Sequence, residues 1–143
     1  MGELAARAAC DARVRFLGPL PPAAVRSAYA DADVVLFPTR FDVFGLVLVE
    51  AMGSGAATVV SEAAGAVDDL AVDEHNCLVV RGHDPRVWAE AVTKVVEDGD
   101  LRRSLGENAR RTIERRWTIA HSADAMSAGL RLGVLRAQAG GAQ

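Results

Sequence analysis

The sequence predicts an α/β domain, a parallel sheet flanked by helices that ends in a helical C-terminus. Three observations predict it. Short apolar runs such as Val34-Val35-Leu36-Phe37 suit strands buried on both faces. Helix-like stretches separate these runs, and strands joined through helices form right-handed βαβ units on one sheet. From Asp84 onward the chain reads as helix alone. The 143 residues, half of them hydrophobic, are enough for one domain with a real core. Residues 1–138 are read as that domain and 139–143 as a frayed tail.

Taken in order, Leu4 to Cys10 reads as a short helix or the end of one. Val14-Arg15-Phe16-Leu17 reads as a strand closed by Gly18-Pro19. Pro21-Pro22 opens a helix over about 23–32, since proline is tolerated in a first turn. The strand 34–37 stops at Pro38. A helix follows over about 45–54, ended near Gly55. Ala57 to Ser61 is the next strand, Gly65 to Leu70 a loop entering a short helical turn, and Cys77 to Val80 a last strand. Asp84-Pro85 pairs a cap with a proline at the first helical position and starts a helix to about Asp98. Two more helices cover about 100–117 and 119–136.

Composition excludes several classes. A net charge of −3 carries no nucleic-acid or anionic-membrane footprint. The 16 basic residues include one lysine, Lys94, which reads as a solvated side chain; the arginine and alanine bias reflects a GC-rich genome. Cys10 and Cys77 make neither a disulfide framework nor a metal site and read as reduced thiols. His75, His83 and His121 lack ligand spacing, so no metal is expected. No apolar run approaches the ~20 residues of a membrane span, and the first residues lack a signal-peptide pattern. Trp88 and Trp117 read as packing residues. The arginine pairs 102–103, 110–111 and 115–116 read as a solvated face balanced by Glu107 and Glu114.

The chemistry concentrates after Phe37. Ligands in parallel sheets bind at the carboxyl ends of the strands, so the loops after Leu17, Phe37 and Ser61 should open on one edge. Seven residues separate Asp42 from Glu50, and Phe44-Gly45 lies between them at a helix start. Such a start offers unpaired N–H groups and a positive dipole end to an anion, and a glycine there allows close approach. Glu50 lies about one and a half turns into an apolar helix, so it must be paired or line a polar pocket. Asp42 either caps the helix or faces the ligand. The arrangement suits a phosphorylated polyol such as a nucleotide sugar.

These residues closely resemble the donor-site motif of family 4 retaining glycosyltransferases of the GT-B fold. The family pattern is Pro-Ser, a Glu, Phe-Gly-Leu-Val and Glu-Ala-Met. Here it reads Pro38-Thr39, Asp42, Phe44-Gly45-Leu46-Val47 and Glu50-Ala51-Met52. The similarity runs almost the whole length. Val14 to Gly18, Ala30 to Val34, Gly65 to Leu70 and Asn76 to Val79 fall on further family motifs in order. The resemblance implies the Rossmann-like C-terminal, nucleotide-sugar-binding half of a GT-B enzyme, with its first strands missing. It implies that Glu50 binds the ribose hydroxyls and that Asp42 contacts the transferred sugar near the anomeric centre. The amides around Phe44, Gly45 and Leu46 would hold sugar and diphosphate, with Thr39 and Gly65 beside them. The base would sit near Gly18, and neither metal nor other cofactor would be needed.

Departures from the pattern are Asp42 for Glu, Ala66 for the second Gly, Asp69 for Glu, Ala57 for Pro and Cys77 for Gly. The family's N-terminal acceptor domain and its phosphate-gripping Arg and Lys have no counterpart in these residues. Two expectations follow. One is the donor half of a cytoplasmic transferase, peripheral at a membrane if the acceptor is a lipid, that needs a separate N-terminal half. The other is a degenerate stand-alone module that binds a nucleotide sugar or a partner protein without turnover.

Overall fold

The computed structural model describes residues 14–140. Three strands, β1 (Val34–Phe37), β2 (Ala57–Ser61) and β3 (Leu78–Val80), form one parallel sheet in the order β1-β2-β3. Val34 pairs with Ala57 and Val59 with Leu78. The helices are α1 (Pro22–Ala30), α2 (Leu46–Ser54), α3 (Val67–Leu70), α4 (Pro85–Glu97), α5 (Gly99–Arg116) and α6 (Ile119–Gly140). The α/β fold with a parallel sheet and helical C-terminus is as predicted.

The central strand β2 is buried at every residue, as a strand covered on both faces must be. Val60 packs with Leu48 and Met52 of α2 and with Ala109 of α5. Val59, one residue earlier, points the other way and packs with Leu78, Val95 and Leu105. Both faces of the sheet therefore carry core, and α5 reaches into both layers.

Local chemistry sets the helix ends. Asp84 accepts the Arg86 amide at 2.9 Å and caps α4 beside Pro85. Asp98 caps α5 by accepting the amides of Asp100 and Leu101. Gly55 ends α2 at φ +84°, a left-handed conformation that a side chain would strain. Gly106 lets α5 lie directly on that turn: a β-carbon there would stand 2.1 Å from the Gly55 carbonyl oxygen.

Residues 14–17 do not form the expected strand. Val14, Phe16 and Leu17 are each about half exposed, and no described strand lies beside them to complete a ladder. An apolar run is a strand only where a neighbour takes its hydrogen bonds. The last sheet strand begins at Leu78 rather than Cys77, and α6 runs through Gly140 rather than stopping near residue 136. The expected helix at 4–10 and residues 141–143 of the expected frayed tail lie outside the described residues.

Candidate functional site

The loops after β1 and β2 meet at the carboxyl edge of the sheet, as their placement after parallel strands requires. The Asp42 amide donates to the Ala63 carbonyl at 3.2 Å, and the Gly65 amide donates to the Asp42 carbonyl at 3.0 Å. Asp42 and Ala64 form an isolated parallel bridge, a one-residue extension of the sheet. Gly65 belongs to this junction because the loops cross without room for a side chain. Thr39 turns back on its own loop: its hydroxyl donates to the Phe41 carbonyl at 2.9 Å and accepts the Phe41 amide at 3.2 Å.

Asp42 does part of what a cap does. Its Oδ1 accepts the Phe44 amide at 3.0 Å and fixes the approach to α2, while the N-cap itself is Gly45. The Phe44 amide is therefore already engaged. Those of Gly45, Leu46 and Val47 have no acceptor among the described residues. They form the open, positive end of α2. Gly45 is buried at φ +89°, and a β-carbon on it would press on the Phe37 ring at 3.0 Å. Phe44 is anchored from beneath by Trp117, with ring centroids 5.9 Å apart. The helix start is thus held by packing on both sides.

Glu50 stands one turn after Leu46 on the same exposed face of α2. It opens into a cleft of about 610 Å³ between α1 and α2, lined among others by Val25, Arg26, Tyr29 and Gly53. The expected polar pocket is not what surrounds it: Glu50 is exposed to solvent, and the cleft is lined mainly by apolar residues such as Leu20, Pro22 and Val25. Leu48, Ala51 and Met52 carry the buried face, and Glu50 is turned away from them. Beside it, burial and then the Glu50 carboxylate push the Tyr29 phenol above its ordinary range, so its proton stays on. The cleft takes in Glu50 but not Asp42, Phe44 or Gly45. Gly18, at φ +65° in open space, lies before the cleft wall that Leu20 and Pro22 begin.

Arg26 and Tyr29 are the functional candidates that sequence reasoning missed. Tyr29 is the one tyrosine in the chain and lies three residues after Arg26, which puts both on one helix face. Asn76, by contrast, is structural. Fully buried, it donates to the Leu70 carbonyl and the Thr112 hydroxyl and accepts the Val72 amide. Cys77 is sealed in the core, where burial above all and then nearby Asp73 push its thiol up to about 12. Lys94 is on the surface, paired with Glu74 at 2.7 Å. Among the described residues, no three His, Cys, Asp or Glu side chains group to hold a metal ion, and no helix is long and apolar enough to cross a membrane.

Comparison with known proteins agrees with this geometry. A D-inositol 3-phosphate glycosyltransferase of Corynebacterium kroppenstedtii is 41% identical over 108 residues, 75% of this chain and 24% of that protein. The chain thus spans about a quarter of the length of the curated relatives it matches. Among solved structures, sucrose-phosphate synthase of Thermosynechococcus elongatus superposes with a TM-score of 0.74 at 26% identity, over 98% of this chain and 33% of that one. HepE of Anabaena, in complex with UDP, superposes with a TM-score of 0.75 at 25% identity, over 87% and 34%. The match to the synthase takes in nearly the whole chain, its sheet and C-terminal helices included. The family model described as glycosyl transferases group 1 matches residues 2–112, and the chain belongs to that family.

Proposed function

We propose that this chain is the donor-binding part of a retaining glycosyltransferase. It would hold a nucleoside-diphosphate sugar for transfer to an acceptor carried by a separate N-terminal domain. One observation carries the reading. The open amides at the start of α2 lie at the carboxyl edge of the sheet, and one turn further Glu50 faces a cleft of nucleoside size on the same helix. The diphosphate would take the amides of Gly45 and Leu46, the ribose diol would take Glu50, and Asp42 would face the transferred sugar. The positive end of α2 offsets charge on the departing diphosphate, so the step is proposed to run without a metal ion. The enzyme would work in the cytoplasm, at the membrane surface if its acceptor is a lipid.

A titration with UDP-, GDP- and ADP-sugars, following the amide signals of Gly45 and Leu46, tests this. Shifts confined to the start of α2 and to the cleft are expected. Unchanged signals at millimolar nucleotide sugar sink it.

A second reading, a module that binds without turnover, draws on Asp42. Its carboxylate already serves the Phe44 amide and lies outside the cleft that holds Glu50. Binding without transfer, once the domain is supplied with an N-terminal partner, would favour that reading.

A further inference from the structure

An exposed glutamate on a helix samples many rotamers, and a ribose diol needs both carboxylate oxygens in one orientation. The cleft supplies a way to fix them. Two polar side chains face Glu50 from α1, Arg26 and Tyr29. The other hydroxyl of the cleft, Ser54, is engaged with the Ala51 carbonyl at 2.7 Å. Tyr29 is half-buried and lines the same cleft as Glu50, whose carboxylate adds to burial in raising the phenol's pKa.

We propose that Tyr29 is a positioning residue for the donor. Its phenol donates a hydrogen bond to one Glu50 oxygen and turns the carboxylate toward the ribose hydroxyls. The inference rests on the donor reading above. Burial and the adjacent carboxylate both favour the protonated phenol, which is the form that donates. Arg26 lines the same cleft one turn before Tyr29. The role is indirect, since Tyr29 acts through Glu50 and touches no reacting atom.

The test titrates the 143-residue chain, Tyr29→Phe, Glu50→Gln and the double variant with UDP, GDP and ADP and with their 2′,3′-dideoxy counterparts. Tyr29→Phe keeps the ring that packs in the cleft and removes only the hydroxyl. It should weaken the ribonucleotide about five- to ten-fold, the range of one hydrogen bond to a charged group acting at second hand. It should leave the dideoxynucleotide unchanged, and the double variant should bind no worse than Glu50→Gln alone. Equal weakening of both nucleotides would mean that Tyr29 only supports the cleft wall, and the inference fails. An unaltered Tyr29→Phe beside a weakened Glu50→Gln also overturns it, while the donor reading stands. Uptake of none of the three nucleotides overturns both.

Discussion

The α-carbon of Gly65 lies against Val43, so that a methyl group built on it would stand 2.2 Å from the Val43 carbonyl oxygen. This crossing joins the loops after β1 and β2 and sets where Asp42 and the start of α2 sit. The obstacle is backbone, which cannot swing aside as a long side chain can. Gly65→Ala is therefore expected to lower stability by about 1–3 kcal/mol and to displace the α2 amides. Gly18→Ala is the matched control, with φ +65° but open space, and should show only the backbone strain of about 1–2 kcal/mol. Denaturant titration of the two variants, with amide spectra of Gly45 and Leu46, separates the outcomes. Gly65→Ala should move those signals and Gly18→Ala should not.

Asn76 ties the approach to β3 to α5. Its amide serves the buried Leu70 carbonyl and the Thr112 hydroxyl, and its carbonyl takes the Val72 amide at the edge of the core. Asn76→Ala strands the buried Leu70 carbonyl, at a cost of about 1–3 kcal/mol, and releases the Thr112 hydroxyl and the Val72 amide. The variant should lose about 3 kcal/mol in chemical denaturation. It should also lose hydrogen-exchange protection at Val72 while the core amides keep theirs. Loss of stability without that local signature would mean that the hydrogen bonds of Asn76 do not hold this turn.

Cys77 gives a pH prediction. Its folded pKa is raised from 9.0 to about 12, so the folded state keeps the proton over a range where the unfolded chain gives it up. The contribution is complete below pH 9 and is lost as pH rises toward 12, up to about 4 kcal/mol. Cys77→Ala should flatten the fall in stability between these limits. In a Cys10→Ser background, the native chain should resist thiol-specific reagents at neutral pH and react only on unfolding. Prompt labelling of the native thiol would overturn this.

The strand at 57–61 was legible because burial on both faces keeps it largely apolar, whereas 34–37 carries an unbroken apolar run although it lies at the sheet edge with Leu36 half exposed. Asp84-Pro85 and Gly55 marked helix ends through chemistry that acts within a few residues. The motif around Asp42 and Glu50 also pointed to a helix start at the sheet edge, where the structure has one. Three features were not legible because each depends on a distant neighbour. Val14 to Leu17 has the composition of a strand but no strand beside it. Gly106 reads as a weak point in a helix, and only the Gly55 carbonyl 51 residues away explains it. Tyr29 gains its interest from Glu50 across a cleft that pattern along one helix cannot show.

Asp42 holds the Phe44 amide with one carboxylate oxygen, and substitutions can divide its structural work from its contact with a sugar. Asp42→Asn keeps an oxygen that accepts this amide and removes the charge. Asp42→Ala removes both, and should lower stability by about 1 kcal/mol through the freed amide. If Asp42 meets the transferred sugar, Asp42→Asn should leave stability and UDP affinity unchanged yet weaken UDP-glucose about ten-fold relative to the unsubstituted chain, since a carboxylate accepts hydroxyl hydrogen bonds about twice as strongly as an amide. Asp42→Glu lengthens the arm by about 1.5 Å toward the acid the family uses, a displacement large enough to alter a sugar contact markedly. Calorimetry with UDP and UDP-glucose on the three variants checks this. Parallel losses for both ligands would assign Asp42 to the loop alone and leave the sugar contact to other groups at the edge of the sheet.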